Sequence, residues 1–215
     1  FFIFLMPKTG TISLAGRGAL TEAVAGFSYV RRETMIMVIL LVTLVMVILS
    51  MPYMMLLPVF TEQVWEVSAT KLGLLLSVSG VGAIVGSLVF ASLPDKKRGL
   101  MLLLSGVVLG VALAWFSWSP TFNMALVAIA FVGLGQTGRM TLANTLLQYY
   151  VEPAYRGRVM ALYMMEWGLS SFAVFFAAVL VDYVSAPAVV GWMAVILAVV
   201  SALSVVMLPK LRRLD

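Results

Sequence analysis

Residues 35–60 read MIMVILLVTLVMVILSMPYMMLLPVF, a run of 26 positions without one charged side chain. An α-helix rises 1.5 Å per residue, and the hydrocarbon core of a bilayer needs about 20 such residues. This run is therefore long enough to cross a membrane. Pro52 and Pro58 fall in its second half, where each removes a backbone donor and predicts a kinked helix. Five further apolar runs follow: 71–93, 100–118, 122–149, 159–183 and 189–208. The whole chain of 215 residues is 63% hydrophobic and 11% charged, with a mean hydropathy of +1.10. Soluble domains average about 45–50% apolar and about 25% charged residues. Lipid is the solvent that such a chain requires, and backbone satisfaction in lipid calls for helices. The expected fold class is an all-α membrane protein with six transmembrane helices.

The basic residues set the expected orientation. Twelve of the fourteen Lys and Arg residues fall in every second gap between spans: Lys8, Arg17, Arg31 and Arg32, then Lys96, Lys97 and Arg98, then Arg156 and Arg158, then Lys210, Arg212 and Arg213. Cytoplasmic loops carry an excess of Lys and Arg, so both ends are expected in the cytoplasm. Trp65, Trp115, Trp118, Tyr183 and Trp192 lie near the opposite ends of the spans, as an interfacial aromatic belt would. Lys71 is assigned to an outer helix end. The net charge of +5 sits in short loops beside apolar spans, where lipid and topology explain it better than nucleic acid does. The chain has no Cys and no His. That removes thiolate and imidazole metal sites, Cys nucleophiles, haem ligation and Ser-His hydrolysis. Neither a cofactor nor a metal is expected, and an enzyme would need a second intramembrane acid beside Glu166.

Residues 1–6 read as the end of a preceding span, residues 7–34 as a cytoplasmic linker, 35–208 as the six-span domain and 209–215 as a cytoplasmic tail. The chain is thus expected to be the C-terminal portion of a longer protein. Within the linker, Ala19, Leu20, Ala23, Val24, Phe27 and Val30 recur at helical spacing and predict an amphipathic helix on the cytoplasmic face. The third and sixth spans hold no ionisable residue and are expected to face lipid. The second, fourth and fifth carry the polar and small residues, so they are expected to line a cavity.

Two charges lie within spans. Arg139 is 14 residues before Pro153 and Glu166 is 13 after it. In an antiparallel hairpin both reach about 20 Å from the turn, so they can pair; a pair is tolerable in low dielectric where a lone charge is not. Either a permanent pair pins two helices, or a charge changes partner or proton during a cycle. Thr137, Thr141, Asn144 and Gln148 share one face of the fourth span, while Arg139 and Gln136 point nearly the opposite way. One set faces a cavity and the other a neighbouring helix. In the fifth span Glu166, Ser170, Ala173 and Ala177 form a single stripe. Tyr53, Tyr163 and Trp167 are candidate cavity aromatics. The expected substrate or coupling set is Arg139, Glu166, Gln136, Thr141, Asn144, Gln148, Tyr163, Ser170 and Tyr53. Gly82 and Gly86 form a small-xxx-small pair that lets a neighbouring helix approach closely, as packing or as a sliding surface. Asp95, Lys96, Lys97 and Arg98 in one inner loop, with Arg156 and Arg158 in another, are a candidate conformational latch or a plain topogenic pair of loops. Arg156 and Arg158 also sit where a cation complements the C-terminal dipole of the fourth helix.

Several segments in order carry a family resemblance: Leu57-Pro58-Val59-Phe60, Leu72 to Ser77, Gly80-Val81-Gly82-Ala83, Asp95-Lys96-Lys97-Arg98, Leu147-Gln148 and Arg156-Gly157-Arg158-Val159-Met160. Over essentially its whole length the chain resembles the C-terminal half of a major facilitator superfamily transporter, of the bacterial enterobactin-exporter and macrolide-efflux-like branch. The resemblance implies one half of a twelve-helix bundle in the bacterial inner membrane. It implies alternating access against an N-terminal six-helix half of the same protein, and proton-driven export of a small amphiphilic molecule. It also implies that the first, second, fourth and fifth spans surround the cavity. The partners implied are the lipid bilayer and that small-molecule substrate, with no nucleic acid. The alternative left by the residues alone is a self-contained six-span channel or a dimeric half-transporter.

Overall fold

The computed structural model describes residues 19–93 and 96–214. Among these residues there are nine α-helices: α1 (Ala19–Arg32), α2 (Thr34–Ser50), α3 (Pro52–Val59), α4 (Ala69–Ser92), α5 (Arg98–Ser117), α6 (Phe122–Tyr150), α7 (Arg156–Tyr183), α8 (Ala186–Met207) and α9 (Pro209–Arg212). Six rods are long and apolar enough to cross a bilayer. The first is a composite of α2, α3 and a π-helical turn over Phe60–Val64, covering Thr34–Val64 in 31 residues. Pro52 breaks the hydrogen-bond ladder between α2 and α3 because it has no N–H, yet it stands in the first turn of α3, where that group is not needed. The π turn closes with Trp65 N–H donating to Phe60 O at 3.0 Å, and Glu66 at φ 50° ends the rod. Thr121 and Ser185 cap α6 and α8 by accepting from Met124 N and Ala188 N.

The helices pack unequally. α5 is sandwiched between α6 and α8, and α4 rests on α6. Glycines set these close approaches. Gly82 and Gly86 of α4 lie against the backbone of Ala130 and Leu134 in α6, and Gly133 of α6 lies against Ser79 in return. Gly110 of α5 lies against Ala194 and Ala198 of α8. Small residues at such contacts let backbones meet where no hydrophobic effect drives association. α7 is held mainly by α1, α2 and α3.

The third span was expected to face lipid, but 11 of the 20 residues of α5 are buried, including Ser105, Gly106 and Gly110. An apolar helix free of charge can serve protein packing as well as lipid, and its small residues bring it between two neighbours. By contrast only Leu75, Gly82 and Gly86 of the 24 residues of α4 are buried, and only 5 of the 28 in α7.

The two ends of the bundle differ in chemistry. At one end Trp65, Phe60, Phe116 and Phe122 interlock, with Trp65–Phe116 ring centroids 5.5 Å apart and Trp65 Nε1 donating to Ser119 O at 3.1 Å. Lys71 Nζ stands 5.1 Å over the Phe122 ring, which accounts for this isolated cation. At the other end α1 docks on the α6–α7 turn. Tyr29 stacks on Tyr155 at 4.1 Å between centroids, and its hydroxyl accepts from Glu152 N at 3.2 Å. There α9 also closes under α5, with Gly99 N donating to Leu214 O at 3.2 Å.

Candidate functional site

A buried polar cluster lies where α2, α6 and α7 meet. Arg139 on α6 is only 2% exposed, although the guanidinium is the most polar group on that helix, and Glu166 on α7 is 4% exposed. Thr43 on α2 is fully buried and lies 2.6 Å from Glu166 Oε1 through its Oγ1. Tyr163, one turn before Glu166, faces Arg139 together with the Glu166 carboxyl group. The expected neighbourhood of Arg139 and Glu166 is therefore present. Their direct ion pair is not: among the described residues Glu166 is bonded to Thr43, and Arg139 Nε has no hydrogen-bond partner.

Thr43 carries the chemistry of this contact. Its hydroxyl has one proton and two lone pairs. It also lies 3.0 Å from Ile39 O and 3.1 Å from Leu40 O. When Glu166 is ionised, Thr43 donates to the carboxylate. When Glu166 is protonated, the acid donates to Oγ1 and Thr43 turns its proton to its own helix carbonyls. The 2.6 Å contact thus accommodates the carboxyl group in both protonation states. Sequence reading did not single out Thr43. The available signal was a lone hydroxyl in the middle of a helix that, between Thr34 and Ser50 at its ends, is otherwise Val, Ile, Leu and Met.

The remaining expected residues separate into two groups. Gln136 lies one turn before Arg139, and its Oε1 is buried without a partner. Tyr53 is buried on α3 with its hydroxyl directed at Ser79 of α4. Ser170 donates to Trp167 O at 2.7 Å within α7, so its hydroxyl is already used. Gln136 and Ser170 thus lie one turn from Arg139 and Glu166 on the same helices, whereas Tyr53 stands edge-on to Phe116, with ring centroids 6.5 Å apart, beside the aromatic end of the bundle. Thr141, Asn144 and Gln148 do not join the buried cluster. They line an open groove of about 600 Å³ at the end of α6 near the α6–α7 turn, with Met140, Thr145, Tyr149, Arg98 and Arg156. Gln148 Nε2 donates to Asn144 Oδ1 at 3.0 Å along this face. The two faces of α6 are thus divided, with Arg139 turned into the helix bundle and the amide–hydroxyl stripe turned to a groove.

That groove joins two sets of residues that sequence reading kept apart. Arg98 and Arg156, expected in a latch, stand beside the polar stripe. Arg156 Nε donates to Val151 O at 3.3 Å, placing a cation on the carbonyl end of α6 where the helix dipole favours it. Arg158 stacks over Tyr155 at 5.3 Å. Lys97 takes the left-handed conformation, φ 58°, just before α5. Asp95 lies outside the described residues. Gly82 and Gly86 sit in the α4–α6 contact described above.

Comparison with known proteins agrees with this architecture. The family profile of the Major Facilitator Superfamily matches residues 1–175 and also residues 39–214. Over 103 residues the chain is 31% identical to the enterobactin exporter EntS of Citrobacter koseri, covering 47% of this chain and 25% of that protein. EntS of Escherichia coli O1:K1 / APEC is 29% identical over the same length and the same shares. The niacin transporter NiaP of Acinetobacter baylyi is 27% identical over 129 residues, covering 60% of this chain and 28% of NiaP. The chain spans between a quarter and a third of the length of the curated relatives it matches. With six helices able to cross a membrane and a superfamily profile matched along nearly its whole length, this chain belongs to the Major Facilitator Superfamily of integral membrane transporters.

Proposed function

We propose that this chain is the C-terminal half of a proton-coupled exporter for a small amphiphilic molecule, working by alternating access in the bacterial inner membrane. The N-terminal partner would be a six-helix half of the same protein, and both ends of this segment would be cytoplasmic. The observation that carries the reading is the group Thr43, Glu166, Arg139 and Tyr163, in which a bonded α2–α7 contact and a buried cation of α6 share apolar surroundings. A titratable carboxyl group at such depth is costly to keep unless it has a task. Its neighbours offer two arrangements. Held by Thr43, the carboxyl group links α7 to α2. Drawn toward Arg139 when ionised, it links α7 to α6. Gain or loss of one proton changes which link is favoured, and so biases the position of α7.

The attachment of α7 supports this role, because a helix held mainly by α1, α2 and α3 can move without disrupting the α5–α6–α8 core. The exposed sides of α4 and α7 suit a cavity and a facing half. The likeness to EntS favours export of an amphiphile such as a siderophore or drug. In cells expressing the intact protein, an uncoupler should raise retention of any substrate found by an efflux screen. Unchanged efflux after collapse of the proton gradient would reject the coupling.

A further inference from the structure

We propose a specific site for an anionic phospholipid in the seam between α2 and α8. Two cavities lie along this seam. The first, about 610 Å³, opens at the start of α2 and the end of α8, and its lining includes Arg32, Glu33, Thr34, Met35, Met207 and Lys210. The second, about 140 Å³, lies deeper and is bounded by Leu41, Val42, Val45, Met46, Val200, Ser201 and Ser204. Val38 lines the first and Leu41 and Val42 the second, one helical turn on. On α8, Met207 and Ser204 make the same step. Mouth and slot therefore follow one another along the same two helices, in the order of a lipid headgroup and its acyl chain.

The charge at the mouth selects the headgroup. Two cations, Arg32 and Lys210, face one carboxylate, Glu33, leaving the mouth net positive. No side chain caps α2, whose first residues line the same mouth, so its positive dipole end adds to the attraction for phosphate. A free anion could use the mouth alone. The apolar slot beneath it assigns the occupant to a membrane lipid of the leaflet on the Arg- and Lys-rich side. Basic pockets between helices at that face are suited to such headgroups. A bound lipid would bridge the start of the first span to the end of the last, joining helices that have only a modest direct contact.

The test places the intact purified protein in phosphatidylcholine nanodiscs carrying traces of photoactivatable phosphatidylglycerol or photoactivatable phosphatidylcholine, with the reactive group on the acyl chain. Labelled residues are located by peptide mass spectrometry. Phosphatidylglycerol should label residues 35–46 and 200–208 in preference to phosphatidylcholine. Arg32→Gln and Lys210→Gln should each lower that preference about fivefold, the effect of one basic group near an anionic surface. Glu33→Gln should raise it. Arg213→Gln removes the same charge outside the mouth and should leave it unchanged. All four side chains are exposed, so these variants keep the fold. Ser204→Phe fills the slot and should abolish labelling of its walls. Equal labelling by both lipids, an equal loss with Arg213→Gln, or displacement of the lipid by inorganic phosphate would overturn the proposal.

Discussion

Gly82→Ala adds one methyl group where α4 meets the backbone of α6. A Cβ at Gly82 would stand 2.7 Å from the carbonyl carbon and 3.0 Å from the Cα of Ala130, and closer still to its oxygen. Carbon atoms rest at about 3.5–4.0 Å, so the helices must separate by roughly 1 Å. No side chain can swing aside, because every obstructing atom is backbone. The seam also includes Gly86, whose added Cβ would meet Leu134 Cα at 3.0 Å, and Gly133 against Ser79. Separation at one point therefore loosens all three contacts. Overpacking of this kind costs about 1–3 kcal/mol. For a domain of this size that lowers Tm by roughly 2–4 °C per kcal/mol, and by less in a longer intact protein. Gly73 and Gly80 on the same helix have nothing within 4 Å of an added Cβ. Gly73→Ala and Gly80→Ala should be neutral or gain up to about 1 kcal/mol from helix propensity. Thermal unfolding of the intact protein in detergent, followed by size exclusion, compares the three. If Gly82→Ala melts with Gly80→Ala, the close α4–α6 contact is wrong.

Two further results are expected. Exchanging the central charges, as Arg139→Glu with Glu166→Arg, should fail to restore transport lost in either single neutral variant, because Glu166 is bonded to Thr43 on a third helix; full recovery at normal expression would mean that the two charges act as a simple pair. Tyr29→Ala removes the stack on Tyr155, a contact of about 0.5–1.5 kcal/mol, and should speed tryptic cleavage after Arg31 and Arg32 in inside-out vesicles, whereas unchanged cleavage would show that α1 is held by other contacts.

The spans were legible because apolar length is a direct consequence of the bilayer. The fourth span, expected over residues 122–149, is the helix Phe122–Tyr150, and the expected 159–183 is Arg156–Tyr183. The composite first span was only half legible. Two prolines announce a disturbance, but not that Pro52 would open a new helix while the chain continued into a π turn. The depth of Arg139 and Glu166 could be counted from one turn, and that brought them into one neighbourhood. Their partners could not be read in this way, since Thr43 lies 123 positions from Glu166 and its place depends on how α2 and α7 pack. Burial of α5 was misjudged for a related reason. Lipid and a neighbouring helix offer an apolar side chain nearly the same environment, so composition alone does not separate them.

The most direct test of Glu166 as the proton-coupling group uses proteoliposomes holding the intact protein and a substrate identified by the efflux screen. A pH gradient is imposed in each orientation, and accumulation is compared between the wild type and Glu166→Gln. Gln keeps the size and the contact with Thr43 but carries no exchangeable charge. The wild type should accumulate substrate against its gradient, whereas Glu166→Gln should still exchange substrate yet respond no more to the pH gradient than protein-free vesicles do. Accumulation by Glu166→Gln equal to the wild type would contradict the account.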